Sequence, residues 1–134
     1  MKTPSFARWF VLSFCTATAL TAADWPQYRG PNNDGSTPEK ILATWPAEGP
    51  RVVWKAPLGP SFGSFAVSGG RAFCFIQRAV AGQDQEVALA LDANTGKEIW
   101  AVPLGKPTYD KQGGDGPRST PTVPGDRVYL LGAN

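Results

Sequence analysis

The segment Ala90-Leu-Asp-Ala-Asn-Thr-Gly-Lys-Glu-Ile-Trp100 joins two predicted β-strands through a short turn. Before the turn, Val87, Leu89 and Leu91 recur at every second position, which places their side chains on one buried face of a strand. Within the turn, an Asp side chain can accept hydrogen bonds from the backbone, and a Gly can adopt a positive φ. The segment therefore predicts a β-hairpin whose second strand runs through the Trp.

The same segment resembles the tryptophan-docking motif of the pyrroloquinoline quinone (PQQ)-like, or quinoprotein-type, β-propeller repeat family. That motif has the pattern Ala-x-Asp-x-x-Thr-Gly-x-x-x-Trp, and its specified positions fall on Ala90, Asp92, Thr95, Gly96 and Trp100. The resemblance implies that the Ala and the Trp pack against neighbouring propeller blades. It also implies that the Asp and Thr side chains hold the turn together.

Residues 24–50 are rich in Pro, Gly and Asn and contain no strand pattern. Their opening, Trp25-Pro-Gln-Tyr-Arg-Gly-Pro31, is similar to that of exported PQQ-like propeller proteins of planctomycete and verrucomicrobial type. A disordered tail is the alternative interpretation, but aromatic residues are uncommon in disordered linkers. We therefore expect an ordered N-terminal arm pinned by Trp25 and Tyr28.

An internal repeat supports the propeller interpretation. Residues 53–59 match residues 99–105 and place Trp54 at the docking position, 46 residues before Trp100, which is about the length of one blade. Residues 64–73 match residues 120–129 at an offset of 56, so ten additional residues lie between the two matches. This insertion is rich in Gly. No Lys-Ser/Thr pair follows its glycines to indicate a phosphate-binding loop, so we interpret it as a flexible loop.

The predicted fold class is all-β. Strands are predicted at residues 51–56, 64–68, 71–77, 85–92 and 97–102, with a loop longer than a minimal turn at 78–84 and a third blade that opens at Ser119. Residues 51–134 would thus form a partial β-propeller of about one complete four-stranded blade and parts of two neighbours. Because a propeller has at least four blades, we expect this sequence to be an N-terminal fragment of a longer protein.

Residues 1–23 have the pattern of a signal peptide. Basic residues precede an apolar run at residues 9–20, which is shorter than the roughly 20 residues of a membrane span. Small residues follow, so we expect cleavage after Ala22 or Ala23, export to the periplasm, cell envelope or extracellular space, and no membrane span in the mature chain. An uncleaved anchor and a lipoprotein modified at Cys15 are the alternatives; the bulky Phe14 argues against the latter.

Composition excludes several functions. Removal of residues 1–23 takes two of the thirteen basic residues away, and the remaining eleven equal the eleven acidic residues, so no nucleic-acid partner is predicted. The chain contains no His, which excludes a Ser-His-Asp triad within this sequence. Cys74 alone would remain after cleavage, and we interpret it as a buried strand residue.

Two functions remain open. Stacking of Trp54 and Trp100 on a quinone or sugar is one interpretation, but their repeated positions favour packing between blades. No pair of carboxylates is fixed by spacing. We therefore assign no catalytic, cofactor-binding or metal-binding residue to this segment. The prediction is an exported, non-catalytic binding or scaffold module with a protein or envelope component as its partner. The alternative is a PQQ-dependent alcohol or sugar dehydrogenase that holds PQQ and Ca²⁺ through residues beyond this segment.

Overall fold

The computed structural model of the protein describes residues 23–107, 109 and 113–132. These residues form four strands, which are β1 (Ala66–Ser68), β2 (Arg71–Val80), β3 (Gln83–Asp92) and β4 (Glu98–Gly105). Each strand pairs antiparallel with the next, in the order β1-β2-β3-β4. The predicted all-β class with one four-stranded blade is confirmed. The predicted signal peptide, residues 1–23, lies outside the described residues except for Ala23.

Both faces of this sheet are apolar. The face that contacts Trp54, here called the Trp54 face, carries a buried cluster of Ala72, Cys74, Ile76, Val87, Leu89 and Leu91. The opposite face, called the Trp100 face, carries Ala66, Phe73 and Ala90, which pack with Val123. β3 is therefore buried on both faces, whereas its sequence pattern predicted one. The alternation along β3 is between Leu and Ala, and alanine is small and apolar enough to be buried as well.

β2 and β3 are longer than predicted. They are joined by a two-residue turn in which Ala81 has φ 51° and Gly82 has φ 78°. Positive φ at both central residues is characteristic of a type I′ turn, which suits the twist of paired strands. The longer loop predicted at residues 78–84 is therefore wrong. Arg78, Gln83 and Asp84 concealed the strand ends, because the pairing of Val80 with Gln83 is made by the backbone.

Residues 51–56 form no strand, contrary to the prediction. A strand requires a neighbouring backbone partner, and none of the four strands described here pairs with this segment. Its Trp54 nevertheless packs against the sheet, together with Ala56. Thr122 and Tyr129, which lie where the third blade was predicted to open, exchange two backbone hydrogen bonds of 3.0 and 2.8 Å.

The N-terminal arm lies along β1. Trp25 and Val67 exchange backbone hydrogen bonds of 2.7 and 2.8 Å. The Asp24 carboxylate accepts hydrogen bonds from the Ser68 hydroxyl at 2.9 Å and from the Gly69 amide at 3.1 Å. These contacts extend the sheet by a single bridge beyond its first strand.

The arm also contacts the segment that follows β4. The Val123 amide donates a hydrogen bond of 2.8 Å to the carbonyl oxygen of Pro26, one residue after Trp25. The arm therefore connects the first strand of the complete blade with the start of the next hairpin. Tyr28, which was expected to help pin the arm, is 65% exposed and has no such role.

Candidate functional site

The turn between β3 and β4 is closed by one carboxylate. Asp92 Oδ1 accepts hydrogen bonds from the Asn94 amide at 3.0 Å, the Thr95 amide at 2.8 Å and the Thr95 hydroxyl at 2.9 Å. The Gly96 amide donates to the Asp92 carbonyl oxygen at 2.9 Å. The hydrogen bonds from Thr95 lower the pKa of the Asp92 carboxyl because they favour its ionised form.

Trp54 docks on this turn. Its Nε1 donates a hydrogen bond of 2.9 Å to the carbonyl oxygen of Ala93. Its ring lies so close to Gly96 that a Cβ added there would be 2.5 Å from Cε3 of the ring. Gly96 also has φ 70°, a conformation that an L side chain disfavours. The turn thus provides both a hydrogen-bond acceptor and a flat surface for an indole that precedes the blade.

Trp100 lies on the opposite face. Its ring centroid is 6.0 Å from that of Phe73, with the two planes inclined at 46°, a separation within the range of favourable aromatic pairs. Its cross-strand neighbour Ala90 is fully buried, and Val123 and Val128 of the next hairpin join the cluster. The two tryptophans therefore contact opposite faces of the same blade.

Two connecting segments meet at the end of the sheet where β2 ends and β3 begins. This end, called the loop end, comprises residues 59–65, which lead into β1, residues 81–82, the last two residues of β4, residues 106–107, 109 and 113–119, which follow β4, and residues 130–132. The Phe62 amide donates to the Pro117 carbonyl oxygen at 2.9 Å. A Cβ at Gly116 would lie 2.6 Å from the carbonyl oxygen of Pro60. Gly116 therefore permits close backbone contact, a role that the prediction of a flexible loop did not include.

The loop end exposes large apolar side chains. The exposed fractions are 58% for Phe62, 53% for Leu104, 58% for Tyr109 and 77% for Leu131. The guanidinium carbon of Arg118 lies 5.0 Å from the Phe62 ring centroid, within the range of a cation–π contact. The turn end, formed by the turns at residues 69–70 and 93–97, offers no comparable group of large apolar side chains among its described residues.

A polar cluster lies beside these side chains. Asp84 Oδ2 accepts hydrogen bonds from Gln77 Nε2 at 3.3 Å and from the Tyr109 hydroxyl at 3.0 Å. The bond to Asp84 raises the pKa of the Tyr109 phenol, because it stabilises the protonated form. Gln77 is 5% exposed, and its Oε1 has no hydrogen-bond donor within the described part of the chain.

Glu86 is the buried carboxyl of this cluster. It lies directly opposite Gln77 in the β2–β3 register and is 6% exposed. Burial raises the pKa of its carboxyl, because desolvation disfavours the charged form. Sequence reasoning assigned no role to either residue. The register that pairs them follows from the tight Ala81-Gly82 turn, which the sequence did not reveal.

Residues 23–107, 109 and 113–132 contain neither a metal-binding cluster nor a helix that could span a membrane. No three His, Cys, Asp or Glu side chains of this part of the chain are close enough together to hold a metal ion. Helices with the length and hydropathy of a membrane span are likewise absent from it.

Comparison with known proteins gives one match. A family model described as outer membrane protein assembly factor BamB matches residues 40–134, which include all four strands, both docking tryptophans and the loop end. No curated protein and no solved structure matches the chain.

Proposed function

The chain belongs to the PQQ-like β-propeller repeat family, and from this membership and the surface at its loop end we propose that it is a non-catalytic binding or scaffold module of the cell envelope. The observation that carries the proposal is the combination of exposed aromatic and aliphatic side chains with a firmly held backbone at that end. Aromatic residues and Arg are enriched in protein interfaces, and a preformed surface loses little conformational entropy on binding. A protein of the envelope is the proposed partner.

The backbone contacts of the loop end support this proposal. Ser61 donates a hydrogen bond of 2.7 Å to the carbonyl oxygen of Phe75 in β2, and the Gln77 amide donates one of 2.9 Å to Pro60. These bonds tie the segment that carries Phe62 to the sheet. The exposed Phe62 ring is therefore presented from a fixed backbone.

Export is part of the same proposal. Residues 1–23 have the composition of a signal peptide, and the description of the matching family names an outer membrane assembly factor. We propose the periplasm or cell envelope as the location. The planctomycete or verrucomicrobial type of protein stays a prediction from the sequence that opens at Trp25.

Site-specific photo-cross-linking tests the binding surface. A photoreactive phenylalanine analogue at Phe62 of the full-length protein should cross-link one envelope protein in cells. The same analogue at Asn94, which is exposed in the turn between β3 and β4, serves as the matched control. Identical products from both positions, or products only from Asn94, would contradict a binding surface at the loop end.

The dehydrogenase alternative has a separate test. Calcium requires six to eight oxygen ligands, and residues 23–107, 109 and 113–132 bring no three acidic side chains together. Under this alternative, the residues that hold PQQ and Ca²⁺ would lie outside the described part of the chain. The full-length protein, incubated with PQQ and Ca²⁺, should show no quinone absorbance after gel filtration and no dye-linked oxidation of alcohols or sugars. Turnover would overturn the scaffold proposal.

A further inference from the structure

The N-terminal arm contacts the same position in two consecutive repeat units. Val67 in β1 and Val123 in the following unit are equivalent, because residues 64–73 match residues 120–129 at an offset of 56. Trp25 exchanges backbone hydrogen bonds of 2.7 and 2.8 Å with Val67, and the Pro26 carbonyl oxygen accepts one of 2.8 Å from the Val123 amide. Two adjacent residues of the arm therefore bind one position of the repeat twice.

This position lies where the two units converge. The Ser64 amide donates a hydrogen bond of 3.0 Å to Oγ1 of Thr120, its own equivalent in the next unit. Packed sheets are ordinarily about 10 Å apart, so a direct hydrogen bond between equivalent positions marks the edge at which radially arranged blades approach each other. β1 forms this edge, because it pairs with β2 on one side and with the arm on the other. In a propeller, the inner edges of the blades surround a central channel.

The arm folds back on itself directly after these contacts. The Gln27 side-chain amide donates a hydrogen bond of 3.1 Å to the carbonyl oxygen of Gly30. Gly30 is buried against the Trp25 ring, and a Cβ added there would lie 2.7 Å from Cζ3 of the ring. The Gly35 amide closes the loop with a hydrogen bond of 2.9 Å to the carbonyl oxygen of Arg29. This part of the arm is therefore a compact loop packed by its own side chains.

We propose that the N-terminal arm closes the central channel of the complete propeller. The arm enters at the turn end, where the Asp24 carboxylate accepts a hydrogen bond of 3.1 Å from the Gly69 amide. The chain also leaves by the turn end, because Trp54 docks there on the turn between β3 and β4. Between these two points the compact loop extends from β1 across the axis to the first strands of the opposite blades. Tyr28, which is 65% exposed within the described part of the chain, contacts that far wall.

Closure by the arm leaves the channel accessible from the loop end alone. A ligand or a partner segment then cannot pass through the propeller, and it enters the channel only beside the exposed apolar side chains of the loop end. This inference rests on membership of the propeller family. It does not depend on the choice between a scaffold and a dehydrogenase.

Photo-cross-linking within the purified full-length protein tests the closure. A photoreactive phenylalanine analogue at Tyr28 should cross-link, within one molecule, to the first strand of a unit that is not adjacent to the described blade, as identified by peptide mass spectrometry. The same analogue at Ile99, which is 46% exposed on β4 at the opposite edge of the sheet, should not reach that strand. A cross-link from Tyr28 only to residues 59–132, only to another molecule, or to nothing would overturn the proposal.

Hydrogen exchange tests whether one segment holds both units. Gly30→Ala places a Cβ against the Trp25 ring at φ 76°, whereas Gly35→Ala has a similar backbone penalty at φ 77° with nothing within 4 Å. Gly30→Ala should therefore accelerate exchange of the Val67 and Val123 amides at least tenfold more than Gly35→Ala does, and by the same factor at both amides. Acceleration at Val67 alone, or equal effects of the two variants, would overturn the proposal. Unchanged exchange in β3 verifies that each variant is folded.

Discussion

Substitution of Gly96 by Ala should destabilise the protein through a contact with Trp54. Two penalties act at this position. The backbone has φ 70°, and an Ala in the left-handed region costs about 1–2 kcal/mol, offset by up to about 1 kcal/mol because the unfolded chain loses freedom as well. The added Cβ would also lie 2.5 Å from Cε3 of Trp54, so the indole must move.

The second penalty can be estimated from what Trp54 would lose. Its hydrogen bond to the Ala93 carbonyl oxygen contributes about 1 kcal/mol. The half-buried indole covers roughly 100 Å² of apolar surface, worth about 2.5 kcal/mol when completely lost. Because a shifted ring retains part of this contact, we expect about 1–3 kcal/mol from the displacement and about 2–4 kcal/mol in total.

Gly82 provides the control. It has φ 78°, and nothing lies within 4 Å of a Cβ placed there, so Gly82→Ala should cost only the backbone penalty of about 1 kcal/mol. Urea unfolding of the full-length protein gives the global free energies, and hydrogen exchange at the Gly96 amide gives the local one. In a Trp54→Ala background, Gly96→Ala should cost no more than Gly82→Ala. Equal costs at Gly96 and Gly82 in the wild-type background would refute the docking contact.

Three further outcomes follow from local geometry. Ala81→Asn should raise the free energy of unfolding by about 0.5–1 kcal/mol, measured by urea unfolding, because Asn tolerates the positive φ of this turn better than Ala. The lowered pKa of the Asp92 carboxyl stabilises the protein above the unfolded pKa of about 3.9, and this stability is lost as pH falls through the folded pKa. In Asp92→Asn, the urea midpoint should therefore fall less steeply below pH 4 than in the wild type. An unchanged pH profile would exclude this role of Asp92. Burial raises the pKa of the Cys74 thiol to about 11. At pH 8, alkylation of this thiol should therefore be about a hundredfold slower in the native than in the unfolded protein, as measured by peptide mass spectrometry. Rapid labelling of the native protein would contradict a buried thiol.

The sequence predicted the parts of the fold that depend on local patterns. The Leu and Ala alternation before Asp92 and the turn residues up to Gly96 define a hairpin from side chains alone, and that hairpin is present. Arg78 after Gln77, and Gln83 and Asp84 before the apolar pattern of β3, concealed the ends of these strands, where pairing continues through the backbone. The reverse error occurred at residues 51–56, whose strand-like composition has no partner strand in the described chain.

The candidate site was less accessible to sequence reasoning for the same reason. Glu86 stands at the start of a strand pattern, where a carboxylate is ordinarily solvated. Its burial arises from residues 116–119 and 130–132, which are close in space but about thirty or more positions away in the chain. Only the β2–β3 register places it opposite Gln77, and that register depends on a turn, Ala81-Gly82, with a weak sequence signal.

The two ends of the blade are under different constraints, and this separates stability from the proposed binding. Between Trp54 and Trp100 the spacing equals one blade length, and the turn that accepts Trp54 is determined atom by atom through Asp92 and Gly96. The ten extra residues of the second unit enter at the loop end, where an insertion leaves strand pairing intact. A repeat array is stabilised by contacts between neighbouring units, and its loops are free to vary. Substitutions at Gly96 should therefore reduce stability together with binding, whereas exposed Phe62 can be changed to reduce binding alone.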